Sequence, residues 1–155
     1  RHWWGEWQRT LSDQGIAGIW NDMNEPTIDE RPFGDQGHKL SGFPLDAPQG
    51  SPEEGATHAE THNLYGLTMA RASCEGLQRS RPHDRSFVLT RSGFAGIQRW
   101  SAVWTGDNHS RWDHLEMSLP MICNLGLSGV AFVGADIGGF AGNATAELFA
   151  RWMQV

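Results

Sequence analysis

Gly18-Ile19-Trp20-Asn21-Asp22-Met23-Asn24-Glu25-Pro26 puts a short apolar run directly before two carboxylates. Ile16 to Trp20 reads as a buried strand, and Asp22 and Glu25 lie where that strand spills into a loop. A carboxylate beside apolar neighbours is costly unless it is hydrogen-bonded or used. Trp104-Thr105-Gly106-Asp107-Asn108 repeats the arrangement after the strand-like run Ser101-Ala102-Val103. Arg91 and Asp136 likewise follow apolar stretches, Phe87-Val88-Leu89 and Gly129 to Gly134. Four successive strand ends therefore carry the polar chemistry. A β/α barrel produces this placement, because its loops after the strands line one face.

The segments between these strands fit that reading. Trp3, Trp4, Trp7 and Leu11 recur at helical spacing, with Gly15 as a stop. Residues 21–56 read as a long irregular loop holding five of the seven prolines. A loop of that length is functional or disordered. Thr57-His58-Ala59-Glu60 has the capping-box pattern and opens a helix to about Arg79. Arg91 to Arg99 is a glycine-bearing loop. The next helix opens at Ser110-Arg111-Trp112-Asp113, with Asp113 as capping-box acid, and ends near Asn124. Ala135 to Gly142 is a glycine-rich turn, and a last helix starts at Ala144. Strands alternating with helices imply a parallel sheet with covering helices.

Composition narrows the function. A chain of 155 residues suits one ordinary core. A net charge of −6 without basic runs argues against a nucleic-acid binder. No stretch reads as a membrane span or signal peptide. Cys74 and Cys123 have neither metal-type spacing nor disulfide density, and both are expected to be free, buried thiols. The cytoplasm is the favoured compartment on those grounds. The histidines lack a zinc pattern, His58 and His62 alone being too few, so no metal or cofactor is expected. His62 reads as a buried helix-to-barrel contact. No serine sits in a nucleophile elbow, and no glycine pattern cradles a phosphate. Of the eight Trp residues, Trp3, Trp4 and Trp7 read as packing. Trp20 and Trp104, beside the acids, are the candidates for sugar-ring contacts.

Two strand-end carboxylates far apart in sequence are what a two-carboxylate glycosidase needs. Alone, Asp22 would read as a loop-capping acid; its motif and its partner Asp107 favour a functional site. Residues 18–26 resemble the nucleophile signature of glycoside hydrolase family 31, the α-glucosidase family. The run from Arg91-Ser92-Gly93-Phe94-Ala95-Gly96 through Arg99-Trp100 to Trp104-Thr105-Gly106-Asp107-Asn108 resembles its acid/base segment. Gly134-Ala135-Asp136-Ile137-Gly138-Gly139-Phe140 is similar to a third segment of that family. The resemblance implies α/β architecture: part of a (β/α)8 TIM barrel, about strands four to seven with their helices.

It also implies roles. Asp22 matches the catalytic nucleophile and Asp107 the general acid/base. Arg91 matches a substrate-binding arginine, Asp136 a further acid lining the pocket, and Trp104 a subsite wall. Glu25 reads as support for the nucleophile loop. The implied activity, for the full-length parent, is that of a retaining, exo-acting α-glucosidase on α-linked gluco-oligosaccharides. The Asn-Asp-Met-Asn-Glu form of the signature goes with glucosidases rather than xylosidases. An α-xylosidase, a transglucosidase, an α-glucan lyase or a non-catalytic sugar-binding barrel are the alternatives; the last would be marked by loss of Asp22 or Asp107, and both are present. Oligomeric state stays open.

A whole barrel takes about 200–250 residues. By the resemblance, residues 1–155 are expected to be one stretch of a single catalytic barrel, without the first three strands, the eighth strand, a substrate-contacting histidine beyond Val155 and the flanking β domains. Expressed alone, the stretch is expected to be inactive or poorly folded, because it leaves parallel edges open.

Overall fold

The computed structural model describes residues 2–29, 40–50, 53 and 55–155. The chain divides into two compact units, Arg1–Gly93 and Phe94–Val155.

The first unit opens with helix α1 (His2–Asp13), followed by a turn in which Gly15 takes φ +91°. The helical period is as expected, but the buried stripe is not the tryptophan one. Gly5, Gln8 and Ser12 face inward, whereas Trp3 and Trp7 are 68% and 60% exposed. The reason lies in how α1 meets helix α2 (His58–Ser80). Gly5 and Gly76 oppose each other, and a Cβ on Gly76 would lie 2.8 Å from the Gly5 Cα. Two backbones can approach that closely only through small residues, so the bulky tryptophans turn away. Trp4 remains half-buried, its indole N–H donating to Ser73 Oγ at 2.9 Å.

Strands β1 (Gly18–Asn21) and β6 (Phe87–Thr90) pair in parallel, Ile19 beside Val88 and Asn21 beside Thr90. Ile19 and Val88 are buried together with Ala70, Ala72, Cys74 and Leu77 of α2. Between β1 and α2 the expected irregular loop is partly ordered. Strand β2 (Thr27–Asp29) pairs antiparallel with β3 (Leu40–Gly42), and β4 (Pro48–Gln49) with β5 (Ala56–Thr57). Strands of two or three residues carry too little periodicity to be read from sequence, yet pairing satisfies their backbone groups. The remainder of the expected loop, residues 30–39, 51–52 and 54, lies outside the described residues. The capping box at α2 is as expected: Thr57 N–H donates to Glu60 Oε2 at 2.8 Å.

The second unit starts with a 3₁₀ turn (Ile97–Arg99) and strand β7 (Ala102–Trp104), all three strand residues being buried. Strand β7 pairs in parallel with β8 (Val133–Gly134). Helix α3 (Trp112–Leu127) runs one turn beyond the expected end at Asn124, and β8 is correspondingly shorter than expected. The two differences have one cause. Val130 N–H donates back to the Leu125 carbonyl at 2.9 Å, and Gly129 takes φ +89°, so residues 128–130 close the helix instead of entering the ladder. The N-cap residue is Arg111, so Asp113 falls one position short of the expected capping-box place; its carboxylate pairs with the Arg111 guanidinium instead. Helix α4 (Ala146–Trp152) is capped by Thr145 Oγ1, which accepts from Leu148 N–H at 3.2 Å. Leu115, Leu148 and Trp152 form one buried cluster of this unit, with Ala144 against it.

Both thiols are free, but only Cys74 is buried; Cys123 is exposed on α3. No helix among the described residues is long and apolar enough to cross a membrane.

Candidate active site

Asp22 follows the last residue of β1, and Arg91 follows the last residue of β6. Parallel pairing in register brings these successors together, with Arg91 N–H donating to the Asn21 carbonyl at 3.2 Å. The guanidinium then engages two carboxylates. Its Nη1 lies 3.2 Å from Asp22 Oδ1, its Nε 2.8 Å from Glu25 Oε1 and its Nη2 3.0 Å from Glu25 Oε2. The Glu25 contact is a two-pronged pairing of planar groups, the strong form of an arginine–carboxylate bond. Arg91 is 12% exposed as a side chain, whereas Asp22 and Glu25 keep 38% and 33% of theirs in solvent.

Glu25 is thereby given a positioning place. Burial opposes its ionisation, but hydrogen bonds from Arg91 and from Thr27, whose hydroxyl donates at 2.6 Å, outweigh that and hold the carboxyl below the ordinary glutamate range. Asp22 Oδ1 also accepts from Met23 N–H at 2.8 Å. Met23 takes φ +55°, a left-handed conformation that is uncommon for a residue with a long side chain. That conformation turns the chain sharply after Asp22 and places Met23 Sδ 2.9 Å from Arg91 Nη2.

Two asparagines flank Asp22 and are buried, at 1% exposure each. Asn21 Oδ1 accepts from Ser73 Oγ at 3.1 Å, extending the line from Trp4 through α2 to the strand end. Asn24 Nδ2 donates to Thr90 Oγ1 at 2.8 Å, and Thr90 donates on to the Ser92 carbonyl at 3.1 Å. Reading the sequence for acids missed these residues. The available signal was the polar side chain at the end of an apolar strand, at Asn21 and again at Thr90, which burial makes costly unless partnered. Trp20 alternates with the buried Ile19 and Asn21 along β1 and is 63% exposed. A cleft of about 380 Å³ opens beside Asp22, with Trp4, Met23, Asn24 and Tyr65 among its lining.

In the second unit Trp104 closes β7 and is 7% exposed. Gly106, at φ +82°, turns the chain into Asp107, which is exposed. Asn108 is buried and holds the following turn, its Nδ2 donating to the Asp136 carbonyl at 3.0 Å. Asp136 is partly buried and its carbonyl also accepts from Gly139 N–H at 3.1 Å. Thus β7 presents Asp107, and β8 presents Asp136 just after Gly134.

His62, expected to be buried, is exposed; the buried member is His58, whose Nε2 lies 2.8 Å from His62 Nδ1. Among the described residues no group of three His, Cys, Asp or Glu side chains is placed to hold a metal ion.

Parallel strands that present carboxylates and an arginine at their C-terminal ends have the layout of part of a β/α barrel. Comparison with known proteins agrees. The family described as "Glycosyl hydrolases family 31 TIM-barrel domain" matches residues 1–155, and the chain belongs to that family. It is 52% identical over 155 residues to "Alpha-glucosidase 2" of Bacillus thermoamyloliquefaciens, covering all of this chain and 19% of that protein. It is 42% identical over 160 positions to "Probable glucan 1,3-alpha-glucosidase" of Oryza sativa subsp. japonica, covering all of this chain and 16% of the other. The crystal structure of a glucosidase II alpha subunit bound to alpha3-Glc2 superposes with a TM-score of 0.82 at 38% identity, over 98% of this chain and 16% of that one. The chain therefore spans less than a fifth of the length of each.

Proposed function

We propose that the full-length protein carrying residues 1–155 is a retaining α-glucosidase that removes glucose from the ends of α-linked gluco-oligosaccharides, and that this chain is one continuous stretch of its catalytic barrel. The observation that carries the reading is the Asp22–Arg91–Glu25 cluster at the ends of two paired parallel strands, in a chain of family 31. The naming of its relatives as α-glucosidases, and the binding of alpha3-Glc2 by a glucosidase II alpha subunit, support the substrate class.

Cleavage of an acetal requires a proton on the leaving oxygen while positive charge builds at the anomeric carbon. Asp22 Oδ1 is held by Arg91 and by Met23 N–H, so Oδ2 is the oxygen we assign to attack. The bond from Oδ2 to the anomeric carbon forms as the glycosidic bond breaks, and Asp107 gives its proton to the departing oxygen. In the second displacement water attacks the same carbon, Asp107 takes the proton from that water, and the Asp22 ester is released. Two inversions retain the anomeric configuration. Arg91 holds Asp22 in place, and Trp20, Trp104 and Asp136 are assigned to contacts with the sugar.

Hydrolysis of maltose and p-nitrophenyl α-glucoside by the full-length protein tests the reading. On maltose, Asp22→Ala and Asp107→Ala are each expected to lower kcat/KM by at least about a hundredfold. With p-nitrophenyl α-glucoside, azide should restore turnover to Asp107→Ala as α-glucosyl azide, by two inversions, and to Asp22→Ala as β-glucosyl azide, by one. Full activity in either variant overturns the assignment, and an anhydro-sugar product in place of glucose replaces hydrolysis by elimination.

A further inference from the structure

Asn108 follows the proposed acid directly, and its buried side chain uses both ends of its amide. Nδ2 donates to the Asp136 carbonyl at 3.0 Å, and Oδ1 accepts from Phe140 N–H at 2.9 Å. The Asn108 carbonyl accepts from the same Phe140 N–H and from Ala141 N–H, both at 3.0 Å. Beyond it His109 bridges to Ala141, and Ser110 N–H donates to the Ala141 carbonyl at 2.8 Å. The turn is so close that a Cβ on Gly139, where φ is +93°, would lie 2.6 Å from the His109 carbonyl carbon. A carboxamide donates through one atom and accepts through another; an aspartate would keep the Phe140 bond and lose the Asp136 one.

We infer that Asn108 is a positioning residue, which locks the backbone carrying Asp107 to the turn carrying Asp136 so that the proton-donating carboxyl meets the leaving oxygen. The inference rests on the assignment of Asp107 as the acid. A general acid matters most when the leaving group is a poor one, so misplacing it has a substrate-dependent signature that a purely structural bond does not. A sugar alkoxide must be protonated as it leaves, whereas fluoride departs with little help. Because kcat/KM reads only the first displacement, the comparison is free of the water step.

The experiment measures kcat/KM for maltose and for α-glucosyl fluoride in the full-length protein, in Asn108→Ala, in Asn108→Asp and in Asp107→Ala. The ratio of the two values within one preparation does not depend on how much of a variant is folded. For Asn108→Ala the maltose-to-fluoride ratio should fall by about 10- to 100-fold, the usual cost of a displaced catalytic group. Asn108→Asp should fall in the same direction and by less, because the Phe140 bond survives. An unchanged ratio in both Asn108 variants, with a lowered ratio in Asp107→Ala, overturns the positioning role and leaves the acid assignment standing. An unchanged ratio in Asp107→Ala itself overturns that assignment, and this inference with it.

Discussion

Arg91 holds Asp22, the proposed nucleophile, and Glu25 holds Arg91. Replacing Glu25 by Gln keeps the shape and removes the charge that holds the guanidinium through two bonds. With Arg91 less firmly aimed at Asp22, kcat/KM of the full-length protein is expected to fall by roughly tenfold or more. The same substitution tests a pH dependence of stability. The folded-state pKa of Glu25 is lowered, so the unfolded chain binds its proton first. The stabilisation is present above the ordinary glutamate value of about 4.3 and is lost as pH falls through the depressed value. Thermal unfolding of both proteins should show a Tm gap near neutrality that narrows below about pH 4. A gap of constant size would remove Glu25 from the acid limb. At this scale Asp22, Asp107 and Arg91 were legible, because strand-end charges stand out against apolar runs. Asn24 and Asn108 were not: each is defined by a partner 66 or 28 residues away.

Among the elements, α1 and α2 meet through Gly5 and Gly76, and β1 and β6 sit beneath α2. Gly76→Ala would drive a methyl group into the Gly5 backbone, where nothing can rotate aside. Separating the helices should cost about 1–3 kcal/mol, the usual penalty for overpacking. Urea unfolding of the full-length protein measures it, and a loss of under about 0.5 kcal/mol, typical of a surface change, would mean that the helices part freely. Helical period marked α1 correctly but gave the wrong inward face, because tryptophans dominate any hydrophobic count while the crossing is decided by residues without bulk. Strand β8 shows the reverse error: an apolar run from Gly129 read as strand, and half of it closes α3.

For the molecule as a whole, each unit holds one parallel strand pair, and parallel strands are normally covered on both faces. Trp3 and Trp20 in the first unit and Leu127 and Phe132 in the second remain largely exposed, Leu127 at 87%. Residues 1–155 expressed alone are therefore expected to give no detectable turnover of p-nitrophenyl α-glucoside under conditions where the full-length protein is active. Measurable turnover by the short chain would show that these elements suffice. The alternation of strands and helices, the family and the strand-end placement of Asp22 and Asp107 were determined by sequence alone, since they depend on local patterning and on residue types at strand ends. The inward face of α1, the pairings inside the long loop, the Arg91 grip on Asp22 and Glu25, and the Asn108 clamp were decided by tertiary structure. Each of these is a contact between distant residues, selected by how closely two backbones can approach and by which buried polar atoms then find a partner.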